Sequence, residues 1–189
     1  MSDATPPVHA LSGRDRARRL AAYHWLLESA PHRDTAGMEW TRYGVALLTA
    51  GIRWDVVRVP YEVLHPSFAR DTAPRDLTQR LGELGVIGPV FCDPYRPFAY
   101  FMVPPRTDQQ WPRDLAAAGV ECLGGTRPYV YHVGVPQVER AAPPGLFWLA
   151  PPDEAKRQYV NPEHLHQVLH ACVHQSTEQE QADAPQVIA

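Results

Sequence analysis

The sequence predicts an α+β domain: a mostly antiparallel sheet built from hairpins and packed by helices, with one helix at each end of the folded region. Three observations lead there. Proline accounts for 20 of 189 residues, about twice its usual share of about 5%, which favours short elements joined by stiff turns. Apolar and β-branched runs occur in pairs separated by Gly, Pro and Asp, the pattern of strands linked by tight reversals. Helical periodicity is confined to a few stretches between those pairs and at the two ends.

Taken in order, residues 1–11 are polar, carry Pro6 and Pro7, and are expected to form a disordered tail. Ser12 with Asp15 three residues on is a helix-start signal, and Leu20, Tyr23, His24 and Leu27 recur at helical spacing before Pro31. Arg14, Arg16, Arg18 and Arg19 in its first turns read as a solvated face. Residues 40–48 and 52–59 are aromatic and β-branched enough for two strands, with Thr49, Ala50 and Gly51 as the turn of a hairpin. In the second strand Ile52, Trp54 and Val56 point one way, and Arg53, Asp55, Val57 and Val59 the other. Asp55 is thus a carboxylate on a largely apolar face. Arg53 shares that face and is its expected ion-pair partner.

Residues 60–74 read as irregular with a helical turn near Val63, and residues 76–84 as a short helix with Leu77, Leu81 and Leu84 on one side. A second hairpin follows, residues 89–92 and 98–103 flanking Asp93-Pro94-Tyr95-Arg96-Pro97. The strand over 98–103 is apolar on both faces, which predicts a central position. A short helix near 113–118 leads into a strand pair, 120–123 and 129–135, broken by Gly124 and Gly125, and residues 146–149 form a last strand. The closing helix has Asn161 as N-cap, Pro162 in its first position and an apolar stripe of Leu165, Val168, Leu169, Cys172 and Val173. A single domain over residues 12–174 is expected, with residues 175–189 a disordered tail rich in Gln and Glu.

Composition excludes several function classes. The 18 basic and 21 acidic residues give a net charge of -3, so there is no global basic footprint for nucleic acid and any such contact must be a local patch. No window reaches the roughly 18 apolar residues of a membrane span, and the start lacks a signal-peptide pattern, so a cytoplasmic protein without membrane contact is expected. Cys92, Cys122 and Cys172 are an odd number without close spacing, which argues for reduced thiols. Glycine-rich phosphate loops, HExxH, CxxC and GxSxG are absent, removing the cheapest signals for dinucleotide, P-loop, zincin, thioredoxin and hydrolase chemistry. His164, His166, His170 and His174 recur on the closing helix. At 100° per residue the last three face water, and the spacing implies no neighbouring carboxylate, so they read as a polar face with no metal site.

The run from Trp54 through Asp55, Val56, Val57, Arg58 and Val59 to Pro60 is followed by Gly88-Pro89-Val90, a strand ending Val103-Pro104-Pro105, then Leu123-Gly124-Gly125. Pro143-Pro144-Gly145-Leu146-Phe147-Trp148-Leu149-Ala150-Pro151-Pro152 completes the order. This succession resembles actinobacterial proteins described as bifunctional DNA primase/polymerase N-terminal domains, members of the archaeo-eukaryotic primase superfamily. The resemblance implies a strand with two acids two residues apart, a histidine on a later strand and a third acid, which together hold divalent metal for nucleotidyl transfer. Asp55 matches the first acid, Val57 stands where the second belongs, and the third has no evident counterpart. His132 lies on a later strand but lacks the family's preceding small-residue pattern. The resemblance therefore implies a catalytically degenerate domain: Asp55 and His132 vestigial, no cofactor, and divalent metal only if the site were intact. It implies binding of single-stranded nucleic acid or nucleotide in a replication-related or regulatory role. Arg53 and Arg58 would supply charge, and Tyr129 and Tyr131 would be available for stacking. The alternative is a regulatory module that keeps the fold and docks a protein partner.

Overall fold

Ser12 caps the first helix as its position suggests: its hydroxyl accepts the Asp15 N–H at 3.2 Å and bonds the Asp15 carboxylate at 2.7 Å. A computed structural model describes residues 12–125, 130–153 and 159–182. Helix α1 (Gly13–Leu27) buries Ala22, Leu26 and Leu27. The next element corrects the sequence reading, because Trp40 lies in a helix, α2 (Arg33–Tyr43), and strand β1 starts only at Val45 (Val45–Thr49). Ala36 and Trp40, four residues apart, are both buried, as helical spacing requires. Gly44 stops the helix in the left-handed region at φ 71°, a conformation that glycine adopts without steric penalty.

The hairpin expected between β1 and β2 (Asp55–Pro60) does not form. Instead β1 pairs antiparallel with β6 (His132–Pro136) in a two-stranded ribbon, and β2 joins a separate five-stranded sheet. That sheet has the order β5-β2-β4-β3-β7, where β3 is Val90–Asp93, β4 Phe98–Val103, β5 Glu121–Leu123 and β7 Phe147–Ala150. Its neighbours are antiparallel throughout. The β3–β4 hairpin and the central place of β4 agree with the sequence reading. The strand pair expected between 120–123 and 129–135 does not form, since β5 pairs with β2 and β6 with β1. Burial explains the first correction: five of the six β2 residues are buried, so it must lie inside a sheet covered on both faces, whereas β1 leaves Leu47 half exposed.

The connections between the two sheets cross at a pair of glycines. A Cβ on Gly51, whose φ is 89°, would lie 2.3 Å from the Gly125 backbone, so no side chain fits between the chain leaving β1 and the chain leaving β5. Two cores result. One face of the five-stranded sheet (Val57, Val59, Val90, Phe101, Val103) packs with the short helix α3 (Tyr61–Leu64), α4 (Pro74–Glu83) and α5 (Pro162–Ala182). The other face (Val56, Phe91, Met102, Trp148) packs with α1, α2 and the ribbon. Trp40 and Trp148 tie that second layer together by donating to the carbonyls of Val135 and Pro136 at 2.9 and 3.1 Å.

Asn161 caps α5, its side-chain oxygen accepting the His164 N–H at 2.7 Å, and Leu165, Leu169 and Cys172 turn inward. The helix continues to Ala182, past the expected end of the folded region at His174. Gln, Glu and Ala sustain a helix by backbone propensity without an apolar stripe, so a Gln- and Glu-rich, apolar-poor composition does not by itself end it. No helix among the described residues is long and apolar enough to cross a membrane.

Candidate functional site

Asp55 opens β2, and the register places it opposite Val103, the last residue of β4. Whatever follows β4 must therefore pass over Asp55. Residues 104–112 do so in a tight loop: Arg106 holds a left-handed backbone at φ 73°, and the Thr107 hydroxyl donates to the Pro104 carbonyl at 2.7 Å. A 3-10 turn, Thr107–Gln109, then aims the Asp108 N–H at Asp55 Oδ2, 2.9 Å away. A non-glycine residue at positive φ is uncommon and costs of order 1–3 kcal/mol, so this loop is held in place by its surroundings.

The result is a carboxyl pair. Asp55 is fully buried, and the Asp108 side chain packs where a Cβ on Gly124 would meet its Cγ at 2.3 Å. Burial pushes the Asp55 carboxyl up to about 7, and the neighbouring Asp108 carboxyl adds to the rise against the lowering effect of the Asp108 N–H. Near neutral pH Asp55 is thus partly protonated. Burial and the same two carboxyls push the Cys122 thiol well above the usual thiol range, which leaves it a poor nucleophile. Cys92 is likewise buried and pushed up to about 12.

The outer side of the same loop walls an open cleft of about 890 Å³ against residues 159–167, the segment entering α5. Arg106, Gln110, Trp111, Asn161 and His166 line it. Trp111 stands edge-on to His166, ring centroids 5.6 Å apart, and its indole N–H is buried with no acceptor among the described residues. The Val160 N–H donates to the Met102 carbonyl at 2.9 Å, anchoring the opposite wall to the sheet. A cation and an aromatic side chain thus line one concavity, the combination that suits a ligand with both a ring and a negative charge.

The residues singled out from sequence do not form one surface. Arg53 pairs with Glu28 at 2.6 Å, not with Asp55, because β2 begins after it and its side chain lies by the end of α1. Its carbonyl accepts the Tyr159 hydroxyl at 2.7 Å. Arg58 pairs with Glu121 at 2.8 Å and lies over the Phe98 ring. His132 is exposed at the start of β6, in the other sheet from Asp55, and has no side-chain hydrogen bond among the described residues. Tyr131 is 42% exposed beside it, and its carbonyl accepts the Ala50 N–H. Tyr129 lies outside the described residues. The acid that does reach Asp55, Asp108, went unread because nothing local marks it; the signal is the β2–β4 register, which is not visible in either segment alone.

On α5 a carboxylate does stand beside the histidines, against the sequence reading: Asp114 is 3.0 and 3.1 Å from His166 Nε2. It comes from the connection to β5, distant in sequence. No protein-family model matches the chain, and no curated protein or solved structure is significantly similar to it.

Proposed function

We propose that this chain is a non-catalytic binding domain for nucleotide or single-stranded nucleic acid, a degenerate relative of primase/polymerase-like domains acting in a replication-related or regulatory role in the cytoplasm. The observation that carries the reading is the cleft that Arg106 and Trp111 both line. A guanidinium there suits phosphate, and an indole suits a base, whose stacking is tolerant of sequence. The carboxyl pair supports the non-catalytic part. Nucleotidyl transfer needs ionised carboxylates converging on an accessible point, whereas Asp55 is enclosed, is partly protonated near neutral pH and meets one second acid among the described residues. The nucleic-acid role moves with this reading from Arg53 and Arg58, each already held by a glutamate, to Arg106.

The test is a titration of the full chain with single-stranded DNA and with nucleoside triphosphates at two salt concentrations. Affinity should fall as salt rises, because phosphate contact releases counterions. Trp111→Ala should cost about 1–3 kcal/mol, the usual worth of one stacked base. Arg106→Ala should flatten the salt dependence, while Arg53→Ala and Arg58→Ala leave both unchanged. Absence of binding at low salt overturns the reading. It would favour a protein partner instead, on the groove of about 1000 Å³ between α1 and α2, where Met38 and Tyr43 are 65% and 61% exposed.

A further inference from the structure

We propose that the outer face of α5 binds one divalent transition-metal ion through His170 and His174, with Asp114 as third ligand and His166 as the residue that positions Asp114. The proposed ligands lie outside the cleft, and the two readings share only His166. His166, His170 and His174 follow one another at intervals of four residues, so their rings stack one turn apart along the helix. The His170 and His174 Nε2 atoms face each other at 3.1 Å. Two nitrogens bound to one tetrahedral zinc at about 2.0–2.1 Å each stand about 3.3 Å apart, so the pair is already spaced for a shared ion. Without an ion, one of the two must carry a proton toward the other, since two lone pairs at that distance repel.

Asp114 supplies the charge. His166 Nε2 contacts both of its oxygens, at 3.0 and 3.1 Å. The side chain is therefore oriented before any ion arrives, the arrangement by which outer-shell partners tune metal ligands. Among the described residues no three such side chains converge as a ready metal site, and Asp114 Oδ2 stands 3.9 Å from His170 Nε2. The two side chains that bound that gap are 44% and 46% exposed and so have room to turn toward a shared ion. Imidazole donors select zinc, nickel, copper or cobalt over magnesium and calcium, and three protein ligands leave a fourth position for water or an anionic group.

The experiment is a calorimetric titration of the tag-free, chelator-treated full chain with zinc chloride, alongside cobalt(II) absorption, which reports tetrahedral nitrogen and oxygen coordination. One equivalent should bind. His170→Ala, His174→Ala and Asp114→Asn should each weaken zinc at least roughly tenfold and alter the cobalt spectrum, and His166→Ala should weaken it less. His170, His174 and Asp114 are exposed while His166 is only 22% exposed and packs against Trp111, and unchanged circular dichroism verifies that each variant folds. Zinc binding no tighter in wild type than in the His170→Ala, His174→Ala double variant overturns the site. Equal binding by wild type and Asp114→Asn overturns the three-ligand assignment.

Discussion

Asp55→Asn isolates the buried carboxyl pair. In the folded chain Asp55 keeps its proton up to about pH 7, whereas an unfolded aspartate releases it near 3.8. Folding therefore takes up a proton between those values, and the contribution to stability, full below the lower one, is lost as pH rises through the upper. Counting only the part between pH 5 and pH 8, the loss is roughly 2 to 3 kcal/mol at 1.36 kcal/mol per tenfold step in proton activity. For a domain of this size that lowers the melting temperature by about 5–10 °C. The amide variant has no proton to lose. Its carbonyl oxygen still accepts the Asp108 N–H, and its NH₂ stands where the acid proton was. Denaturant unfolding of both proteins at pH 5 and pH 8 gives the measurement, read as the difference between wild type and variant so that the histidines, common to both, cancel. The variant should gain on wild type across that interval. A difference that stays constant from pH 5 to pH 8 would refute the assignment of the proton to Asp55.

Two further substitutions probe how the elements are held. Gly51→Ala should destabilise by at least about 2 kcal/mol, since its Cβ would meet the Gly125 backbone at 2.3 Å and its φ of 89° is unfavourable for alanine; thermal unfolding measures it, and an unchanged midpoint would mean the crossing is loose. Asn161→Ala should cost about 1 kcal/mol by removing the acceptor of the His164 N–H, with Asn161→Asp restoring most of it, both read from denaturant midpoints.

Elements whose signals are local were legible in the sequence. Ser12 with Asp15, Asn161 with Pro162, and the turn from Asp93 to Pro97 each announce themselves within a few residues, and α1, α5 and the β3–β4 hairpin stand where those signals place them. What failed was partner choice. Residues 40–48 and 52–59 both read as strands, yet nothing in either says that one supplies a strand of a ribbon and the other a strand of the main sheet. Trp40 was misread because an aromatic in a short apolar run suits a strand or a helix; Gly44, as a helix stop, was the signal that decides it. The site followed the same rule. Asp55 stood out because a carboxylate in an apolar strand needs an explanation, while Asp108 and Asp114 gain their meaning only from neighbours far along the chain.

The β1–β6 ribbon has a practical consequence for anyone dissecting the protein into fragments. Its two strands come from opposite halves of the chain, with the main sheet's β2, β3, β4 and β5 threaded between them. Deleting everything before residue 50 would strip β6 of its mate and lay bare Val133, Val135 and the underside of Trp148. A shortened version starting at the main sheet is therefore an aggregation hazard. Trimming is safer beyond residue 174, where the outer end of α5 no longer carries the apolar stripe that seats the helix on the sheet.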